Sequence, residues 1–317
     1  MTGIMSFSNA PDARALGRVA GALAVDEAFV EKDWYVVQAI AALVAIETPE
    51  IVPVFSGGTS LLKAFRLINR FSEDIDFKLA LSSDFEALNG SQKRKRLGTF
   101  RDALAAAWTA AGFEIISLES RSGNGFITIE MRYPTVLGDH PALRPHILAE
   151  LSAKPPRLAP IEAMIASFVN QVRKGASAEV PRIACVDPVE TAADKLSALT
   201  WRVLTRQRGG EKDDPTIVRH IHDLAALERA IAGSARFAEL LAETMIADAG
   251  RGGGSLKAVP AAERLERLLD MLRTDGAYGE EYARYVGGMT FAGEAEVPDF
   301  SQAAEAVERL SGLLPNV

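Results

Sequence analysis

The sequence predicts a mixed α/β N-terminal domain followed by an α-helical C-terminal domain. Two patterns support this prediction. Short apolar runs alternate with helical patterns up to about residue 160, and helix-forming residues dominate after Cys185. With 317 residues, 48% of them hydrophobic, the chain is long enough for two domains with sizeable cores. We therefore assign residues 1–160 to the first domain and residues 161–317 to the second.

The first domain is predicted to begin with helices and then to alternate with strands. Apolar residues recur three and four positions apart in helical segments at residues 13–25, 29–45 and 59–68. Short apolar runs predict strands at residues 52–55, 74–79, 113–118, 126–133 and 146–152. A longer helix covers residues 84–111, is interrupted or weakened near Asn89 and Gly90, and ends at Gly112. Residues 161–173 have helical spacing but the position of a connection between domains.

The second domain has a clear helix start after Cys185. Asp187 is a suitable cap residue, Pro188 suits the first helical position, and Glu190 follows three residues after the cap. This helix is predicted to reach about Leu204. Further helical patterns cover residues 216–231, 236–249, 261–273 and 302–313, with loops at residues 207–215 and 287–298.

Composition excludes several classes of protein. No apolar run approaches the roughly 20 residues of a membrane span, and residues 1–11 lack the pattern of a secretory signal. We therefore expect a cytoplasmic protein without a membrane partner. The single cysteine, Cys185, has no disulfide partner within the chain, and no Cys/His cluster has zinc-ligand spacing. The four histidines show no pairing either, so no catalytic role is predicted for them.

The net charge of −7 argues against a protein whose whole surface binds nucleic acid. A polyanionic partner would have to be held by local basic patches. Two such patches are present, the run at residues 93–96 and the set Arg202, Arg206 and Arg208. Charge runs of this kind are also typical of solvated helix faces, so both interpretations stay open.

The strongest chemical pattern is Asp74-Ile75-Asp76 on a predicted strand. Side chains alternate along a strand, so Asp74 and Asp76 point to one face while Ile75 points to the core. Two carboxylates at this spacing are suitable ligands for a hard divalent cation such as Mg²⁺, which also binds phosphate oxygens. The alternative is an exposed strand face beside nearby basic residues, namely Arg66, Arg70 or Lys78.

A glycine turn lies upstream of this pair, where Gly57-Gly58 leaves a strand and begins a helix. The unpaired N–H groups and the dipole at a helix start favour an anion, and glycine lets a phosphate approach the backbone. Thr59 and Ser60 add hydroxyl donors, and Lys63 lies about one turn beyond Ser60. A plain strand-to-helix turn is the alternative. A phosphate-binding turn so close to an acidic pair nevertheless favours a nucleotide site.

These residues belong to a larger pattern. The segments Phe-Ser-Gly-Gly-Thr-Ser-Leu-Leu-Lys at 55–63 and Arg-Phe-Ser-Glu-Asp-Ile-Asp-Phe at 70–77 resemble the first two motifs of the AbiEii/MenT family. Residues 190–202 and 219–224 resemble its third and fourth motifs, and Glu-Lys-Asp-Trp at 31–34 is similar to a sequence near the start of many members. The family comprises nucleotidyltransferase-fold toxins of type IV toxin–antitoxin systems, within the polymerase-beta-like superfamily.

The resemblance implies a nucleotidyltransferase-like N-terminal domain that transfers a nucleoside monophosphate from an NTP to an acceptor, with release of pyrophosphate. Asp74 and Asp76 are expected to hold Mg²⁺ or Mn²⁺, with Glu150 as a candidate third carboxylate. Lys195 is expected to reach the triphosphate from the second domain, and Asp223 to orient Lys195 or assist the acceptor hydroxyl. The residues expected to bind the nucleotide are Gly57, Gly58, Thr59, Ser60, Lys63 and Arg202.

Other interpretations stay open beside this one. Lys195 could be an exposed helical lysine, and Asp223 could form a salt bridge on a helix surface. The expected acceptor is RNA, at the tRNA 3′ end, and the expected protein partner is a cognate antitoxin. The alternatives are nucleotidyl transfer to a small molecule or a protein, or a catalytically silent binding module of the same fold.

Overall fold

The computed structural model describes residue 7 and residues 9–211, 213–231, 233–291 and 297–314. The chain divides into two compact units. The first comprises Met1–Arg66 and Phe71–Val186, and the second comprises Leu67–Arg70 and Asp187–Val317. Residues 161–186, which the sequence analysis assigns to the second domain, therefore belong to the first unit.

A mixed β-sheet forms the centre of the first unit. Its strands are β1 (Ile51–Ser56), β2 (Ile75–Leu81), β3 (Glu114–Arg121), β4 (Phe126–Arg132), β5 (Ile147–Ser152), β6 (Ile161–Ile165) and β7 (Val180–Cys185). In the part of the chain that the structure describes, they form one seven-stranded sheet in the order β3-β4-β5-β2-β1-β7-β6. The central strand β2 is antiparallel to β1 and parallel to β5, and β1 is parallel to β7.

The apolar face of this sheet shares a core with two helices. The helices of the first unit are α1 (Ala13–Leu23), α2 (Glu27–Val44), α3 (Gly57–Lys63), α4 (Ser83–Glu86), α5 (Gly90–Ala111) and α6 (Phe168–Val172). Ile40 of α2 and Leu104 and Trp108 of α5 are buried together with Phe77 of β2. The Trp108 indole N–H donates a hydrogen bond to the Ala39 carbonyl at 2.9 Å, which joins α5 to α2.

Most predicted elements of the first domain are confirmed. The five predicted strands correspond to β1 through β5, although β3 continues beyond the predicted end. Of the two alternatives near Asn89, the interruption is confirmed: α4 and α5 are separate helices, and Asn89 and Gln92 cap α5 reciprocally. The predicted helix at 59–68 is shorter in the structure, where α3 ends at Lys63.

The segment with ambiguous spacing at residues 161–173 contains a strand and a short helix, β6 and α6. β6 pairs with β7 in an antiparallel arrangement, in which Ile161 faces Cys185. Neither strand was predicted, because neither shows the alternation of buried and exposed residues that β4 and β5 show. The strand structure of residues 161–165 is therefore defined by pairing with β7 and not by the spacing of apolar residues.

The second unit is helical, as predicted. Its helices are α7 (Pro188–Thr205), α8 (Arg219–Ile231), α9 (Ala235–Ala247), α10 (Ala261–Thr274), α11 (Ala277–Met289) and α12 (Phe300–Ser311). The helix α7 packs against α8, α9 and α10, and α8 packs against α12. The predicted start of α7 is confirmed, since Asp187 Oδ1 accepts a hydrogen bond from the Val189 N–H at 2.8 Å and Pro188 is the first helical residue.

One helix of the second unit, α11, was missed by the sequence analysis. Its buried side is formed by Tyr278 and Tyr282, and Gly287 and Gly288 lie near its end, which weakens the helical pattern. Of the predicted loop at 287–298, residues 292–296 lie outside the described residues. Residues 1–6 and 8 of the N-terminal segment also lie outside them. Among the described residues, no helix is both long and apolar enough to cross a membrane.

Candidate active site

The sheet of the first unit has a polar face, which carries the predicted carboxylates. Ile75 and Phe77 of β2 are buried in the core, so the alternation of the strand directs Asp76 to the opposite face. Asp76 lies in register with Glu150 on the neighbouring parallel strand β5 and with Ser56 on β1. Side chains in register on adjacent strands share a face. The structure therefore brings Asp76 and Glu150 side by side, both partly exposed.

Gly57 begins α3 directly beside the Asp76 carboxylate. Its φ is +75°, and a Cβ atom at this position would lie 2.0 Å from Asp76 Oδ2. Any side chain here would be strained by the backbone and would collide with the carboxylate. The glycine turn and the acidic strand, which are separate patterns in the sequence, thus form one site in the structure.

Asp74 immediately precedes β2 and is partly exposed. Its Oδ1 accepts a hydrogen bond from Arg144 Nη1 at 2.7 Å. The Thr59 hydroxyl donates to the Asp74 carbonyl and lies 3.0 Å from Ser72 Oγ. Thr59 therefore fixes the backbone that carries Asp74.

The side chains predicted to bind phosphate at the start of α3 are buried. Thr59 and Ser60 are each 1% exposed, and Gly58 is also buried. Lys63 Nζ lies 2.5 Å from Asp33 Oδ1 and 4.0 Å from the centroid of the Phe168 ring. Burial lowers the pKa of Lys63, although Asp33 counteracts it. In this arrangement Lys63 joins α3 to α2.

The second unit contains the other two predicted catalytic residues, and they contact each other. Lys195 Nζ of α7 lies 2.8 Å from Asp223 Oδ2 of α8. Arg70 makes a bidentate pair with the same carboxylate, from Nε to Oδ1 at 2.7 Å and from Nη2 to Oδ2 at 2.6 Å. Asp223 is 0% exposed. Lys195 is therefore not an exposed lysine, and Asp223 does not form a surface salt bridge. Both belong to a buried cluster.

The charges of this cluster are set by its neighbours. Burial alone would raise the pKa of Asp223, but Arg70 and Lys195 outweigh it and hold that pKa well below its usual range. Burial lowers the pKa of Lys195, although Asp223 counteracts this effect. Burial, together with the Arg219 charge, holds the pKa of His220 well below its usual value, so its imidazole is neutral at neutral pH.

Both basic patches have acidic partners. Lys93 Nζ lies 2.7 Å from Glu86 Oε2, and Arg202 Nη1 lies 3.2 Å from Asp214 Oδ2. Further ion pairs join Arg96 to Glu50, and Arg206 and Arg208 to Glu281. Arg202 is thus engaged within the second unit, and the acidic partners reduce the positive potential that either patch offers to a polyanion.

The family comparison bears on both sites. Residues 42–306 match the profile of the family described as nucleotidyl transferase AbiEii toxin, type IV toxin–antitoxin system. This match spans most of the chain. The chain belongs to the AbiEii nucleotidyltransferase toxin family. The matched residues include Gly57, Asp74, Asp76, Lys195 and Asp223, but begin after the Glu-Lys-Asp triplet of α2.

A solved structure supports the same fold for this AbiEii family member. The chain is similar to MenT4, a nucleotidyltransferase toxin from Mycobacterium tuberculosis H37Rv, with 17% sequence identity and a TM-score of 0.58. The similarity covers 95% of this chain and 90% of that chain. It confirms the predicted combination of a mixed α/β sheet with a helical C-terminal region. No curated protein sequence matches the chain.

The residues of the first site fit a divalent metal ion in their chemistry. Carboxylate oxygens are the ligands that Mg²⁺ prefers, and Mg²⁺ commonly uses one or two carboxylates together with substrate phosphates. Asp74 immediately precedes β2, Asp76 is its second residue, and the missing side chain of Gly57 leaves space beside Asp76. Among the described residues, no group of three or more His, Cys, Asp or Glu side chains is arranged to hold a metal ion.

The sequence analysis missed residues that support this site. Asp33, the partner of Lys63, and Arg144, the partner of Asp74, were not predicted to act there. A signal for the first was present, because three consecutive charged residues, Glu31, Lys32 and Asp33, lie within a largely apolar helix. All three are 3% exposed or less, which identifies them as buried anchors.

Proposed function

We propose that this AbiEii family member is a toxin that transfers a nucleoside monophosphate from an NTP to an RNA acceptor. In this reaction an acceptor oxygen bonds to the α-phosphorus while the bond from that phosphorus to the bridging oxygen breaks. Pyrophosphate leaves with the electron pair, and the acceptor proton passes to water. Such transfers depend on positioning and on compensation of negative charge more than on covalent chemistry.

One observation carries this proposal. Asp76 lies in register with Glu150 and directly beside Gly57, at a turn where only glycine leaves room for the carboxylate. Carboxylate oxygens are the protein ligands that Mg²⁺ prefers when it also binds substrate phosphates. A strand that carries carboxylates beside a glycine turn is suited to bind a triphosphate with its metal ion. A strand with a purely structural role needs neither the carboxylates nor the glycine.

We assign the following roles to the residues of the first site. Asp74 and Asp76 would hold Mg²⁺ or Mn²⁺, with Glu150 as a further carboxylate. The bound ion would supply positive charge to the triphosphate oxygens. The backbone at Gly57 and Gly58 would lie closest to the phosphates, and Thr59 would keep Asp74 in place through its carbonyl.

The second unit contributes a buried cluster whose geometry favours one of the two expected roles for Asp223. Because Asp223 contacts both Lys195 and Arg70, it is suited to orient Lys195. Contact of Lys195 and Arg202 with the triphosphate stays a prediction.

The acceptor we propose is the 3′ end of tRNA, and the partner that neutralises the toxin is a cognate antitoxin. The antitoxin is proposed because the family belongs to type IV toxin–antitoxin systems. The tRNA acceptor is proposed from the motif resemblance alone. NTP and tRNA are abundant in the cytoplasm, which is the proposed location. Transfer to a small molecule or to a protein is the competing outcome of the experiment below.

The test incubates the purified protein with Mg²⁺, total RNA and each of the four labelled NTPs in turn. We expect label in tRNA, and we expect Asp76→Asn to reduce transfer by about a thousandfold or more, because a metal ligand acts directly on the transition state. Asp102→Asn is the matched control. Asp102 is an exposed aspartate of α5 paired with Arg101, so this variant should transfer normally.

The outcomes separate the proposals. If the label appears in a small molecule or in protein, the proposed RNA acceptor is wrong, but the proposed transferase activity is supported. Equal activity in wild type and Asp76→Asn would contradict the proposed role of Asp76. If no acceptor is labelled, the proposal that the protein is a nucleotidyltransferase fails. Expression in a growing host should slow growth, and Asp76→Asn should relieve that effect.

A further inference from the structure

The loop between β4 and β5 is fixed at its end by a buried charge. Lys32 of α2 is 0% exposed, and its Nζ donates to the Arg144 carbonyl at 2.7 Å. The same ammonium lies 2.5 Å from Glu73 Oε2, which accepts a hydrogen bond from the Arg144 N–H at 3.0 Å. Both backbone polar groups of Arg144 are therefore held by one ion pair.

The start of this loop is fixed in a similar way by the preceding residue of α2. Glu31 accepts hydrogen bonds from the Thr135 hydroxyl and from the Val136 N–H, each at 2.6 Å. The Tyr35 hydroxyl donates to the Pro134 carbonyl at 2.8 Å. A connection between two strands does not need buried charges, which are costly to desolvate. Anchors at both ends of an irregular loop are typical of a loop that positions a functional group.

The side chain of Arg144 is the group that this loop presents to the site. Its Nη1 donates to Asp74 Oδ1 at 2.7 Å, and its Nε lies 4.0 Å from Glu73 Oε1. The side chain is 45% exposed, whereas its backbone is fixed. The guanidinium thus lies beside a proposed metal ligand and remains accessible to a ligand from solution.

We propose that Arg144 is a triphosphate-binding residue and that the Lys32–Glu73 pair positions it. This inference rests on the proposed nucleotidyl transfer. A guanidinium forms paired, charge-assisted hydrogen bonds with phosphate oxygens, and a triphosphate carries more negative charge than one carboxylate. Asp74 holds the guanidinium before the nucleotide arrives, and the triphosphate then takes over its donors.

The test measures nucleotide binding by calorimetry with the α,β-methylene analogues of ATP, CTP, GTP and UTP in the presence of Mg²⁺. We expect Arg144→Gln to weaken the affinity for the best-bound analogue about tenfold or more, because a hydrogen bond between charged groups is lost. Arg144→Lys keeps the charge without the planar fork and should lie between wild type and Arg144→Gln. Arg182→Gln is the matched control, since Arg182 is an exposed arginine of the same unit paired with Glu162.

Each outcome decides a separate point. If wild type binds an analogue and Arg144→Gln binds it equally well or better, Arg144 is only a counter-ion of Asp74 and the inference fails. If wild type binds none of the four analogues, the proposed function fails and this inference fails with it. A loss confined to Arg144→Gln and, more weakly, Arg144→Lys supports the inference.

The positioning role of Glu73 has its own readout. Glu73→Gln keeps a hydrogen-bond acceptor for Lys32 but removes the charge, so it should weaken analogue binding less than Arg144→Gln does. If Glu73 acts through Arg144, the double variant should bind like Arg144→Gln alone. Additive losses in the double variant would show that Glu73 acts independently and would overturn the positioning role.

Discussion

Asp76 and Asp223 are both candidate catalytic aspartates, but their surroundings are opposite in kind. Asp76 is partly exposed on the polar face of a sheet, and the residue in register with it is another carboxylate, Glu150. Asp223 is fully buried and contacts two cations, Arg70 and Lys195. The first carboxylate is accessible from solution beside a second carboxylate, whereas the second is enclosed together with two cations.

This difference in exposure predicts different contributions of the two carboxylates to stability. A partly exposed carboxylate contributes little to stability, because solvent screens its interactions. A carboxylate buried between two cations contributes to stability, because removing it leaves two buried positive charges without that counter-charge. Loss of Asp76 and loss of Asp223 should therefore be distinguishable in unfolding experiments.

The largest expected effect on stability is that of Asp223→Ala. This change leaves Arg70 and Lys195 without their shared partner, and we expect the free energy of unfolding to fall by about 3–5 kcal/mol. Asp76→Ala is the matched variant, and it should change the free energy of unfolding by less than about 1 kcal/mol because the side chain is partly exposed. Urea unfolding followed by circular dichroism measures both changes. Equal losses in the two variants would remove the distinction between the two sites.

A smaller effect is expected at Gly57, where the two patterns of the first site meet. Gly57→Ala adds a Cβ at a φ of +75° and places it 2.0 Å from Asp76 Oδ2. We expect a loss of about 1–3 kcal/mol in the free energy of unfolding, and weaker NTP binding because Asp76 must move.

Gly175→Ala separates backbone strain from collision at this turn. Gly175 has a φ of +74°, and nothing lies within 4 Å of an added Cβ. Gly175→Ala should lower the free energy of unfolding through backbone strain and should leave NTP binding unchanged. If Gly57→Ala and Gly175→Ala behave alike in both measurements, contact between Gly57 and Asp76 has no functional consequence.

The order of the elements could be predicted from the sequence because it depends on local patterns. The alternation around Asp76 identifies β2, and Asp187 with Pro188 identifies the start of α7. The strands β6 and β7 could not be predicted in this way, because neither alternates strictly between buried and exposed residues, and they are defined instead by their pairing. Local spacing carries no information about that pairing.

The candidate site shows the same limit at the level of single residues. The motifs identify Asp74, Asp76, Lys195 and Asp223, but not the side chains that hold them. Arg70 is far in sequence from Asp223, and Lys32 is far from Arg144, so spacing along the chain cannot connect them. The charged triplet in the largely apolar helix α2 was a sign of buried partners, although it did not identify them.

The smallest expected effect is a pH dependence of the free energy of unfolding that comes from Asp223 and not from Asp76. Arg70 and Lys195 hold the pKa of Asp223 well below its usual range, despite the opposing effect of burial. The unfolded chain, whose aspartates have a pKa of about 3.9, therefore takes up a proton first on acidification. The stability that the Asp223 charge contributes is fully present above that pKa and is lost as the pH falls through the lower pKa of the folded state.

Comparing wild type with Asp223→Asn isolates this contribution, because the amide keeps the shape and removes the charge. The difference in urea midpoint between the two proteins should be constant from about pH 7 to about pH 5 and should shrink below about pH 4. The same comparison with Asp76→Asn should show a much smaller difference at every pH, since Asp76 is partly exposed. If the difference for Asp223 already shrinks near pH 6, burial outweighs the two cations, and the carboxyl group is protonated within the physiological range.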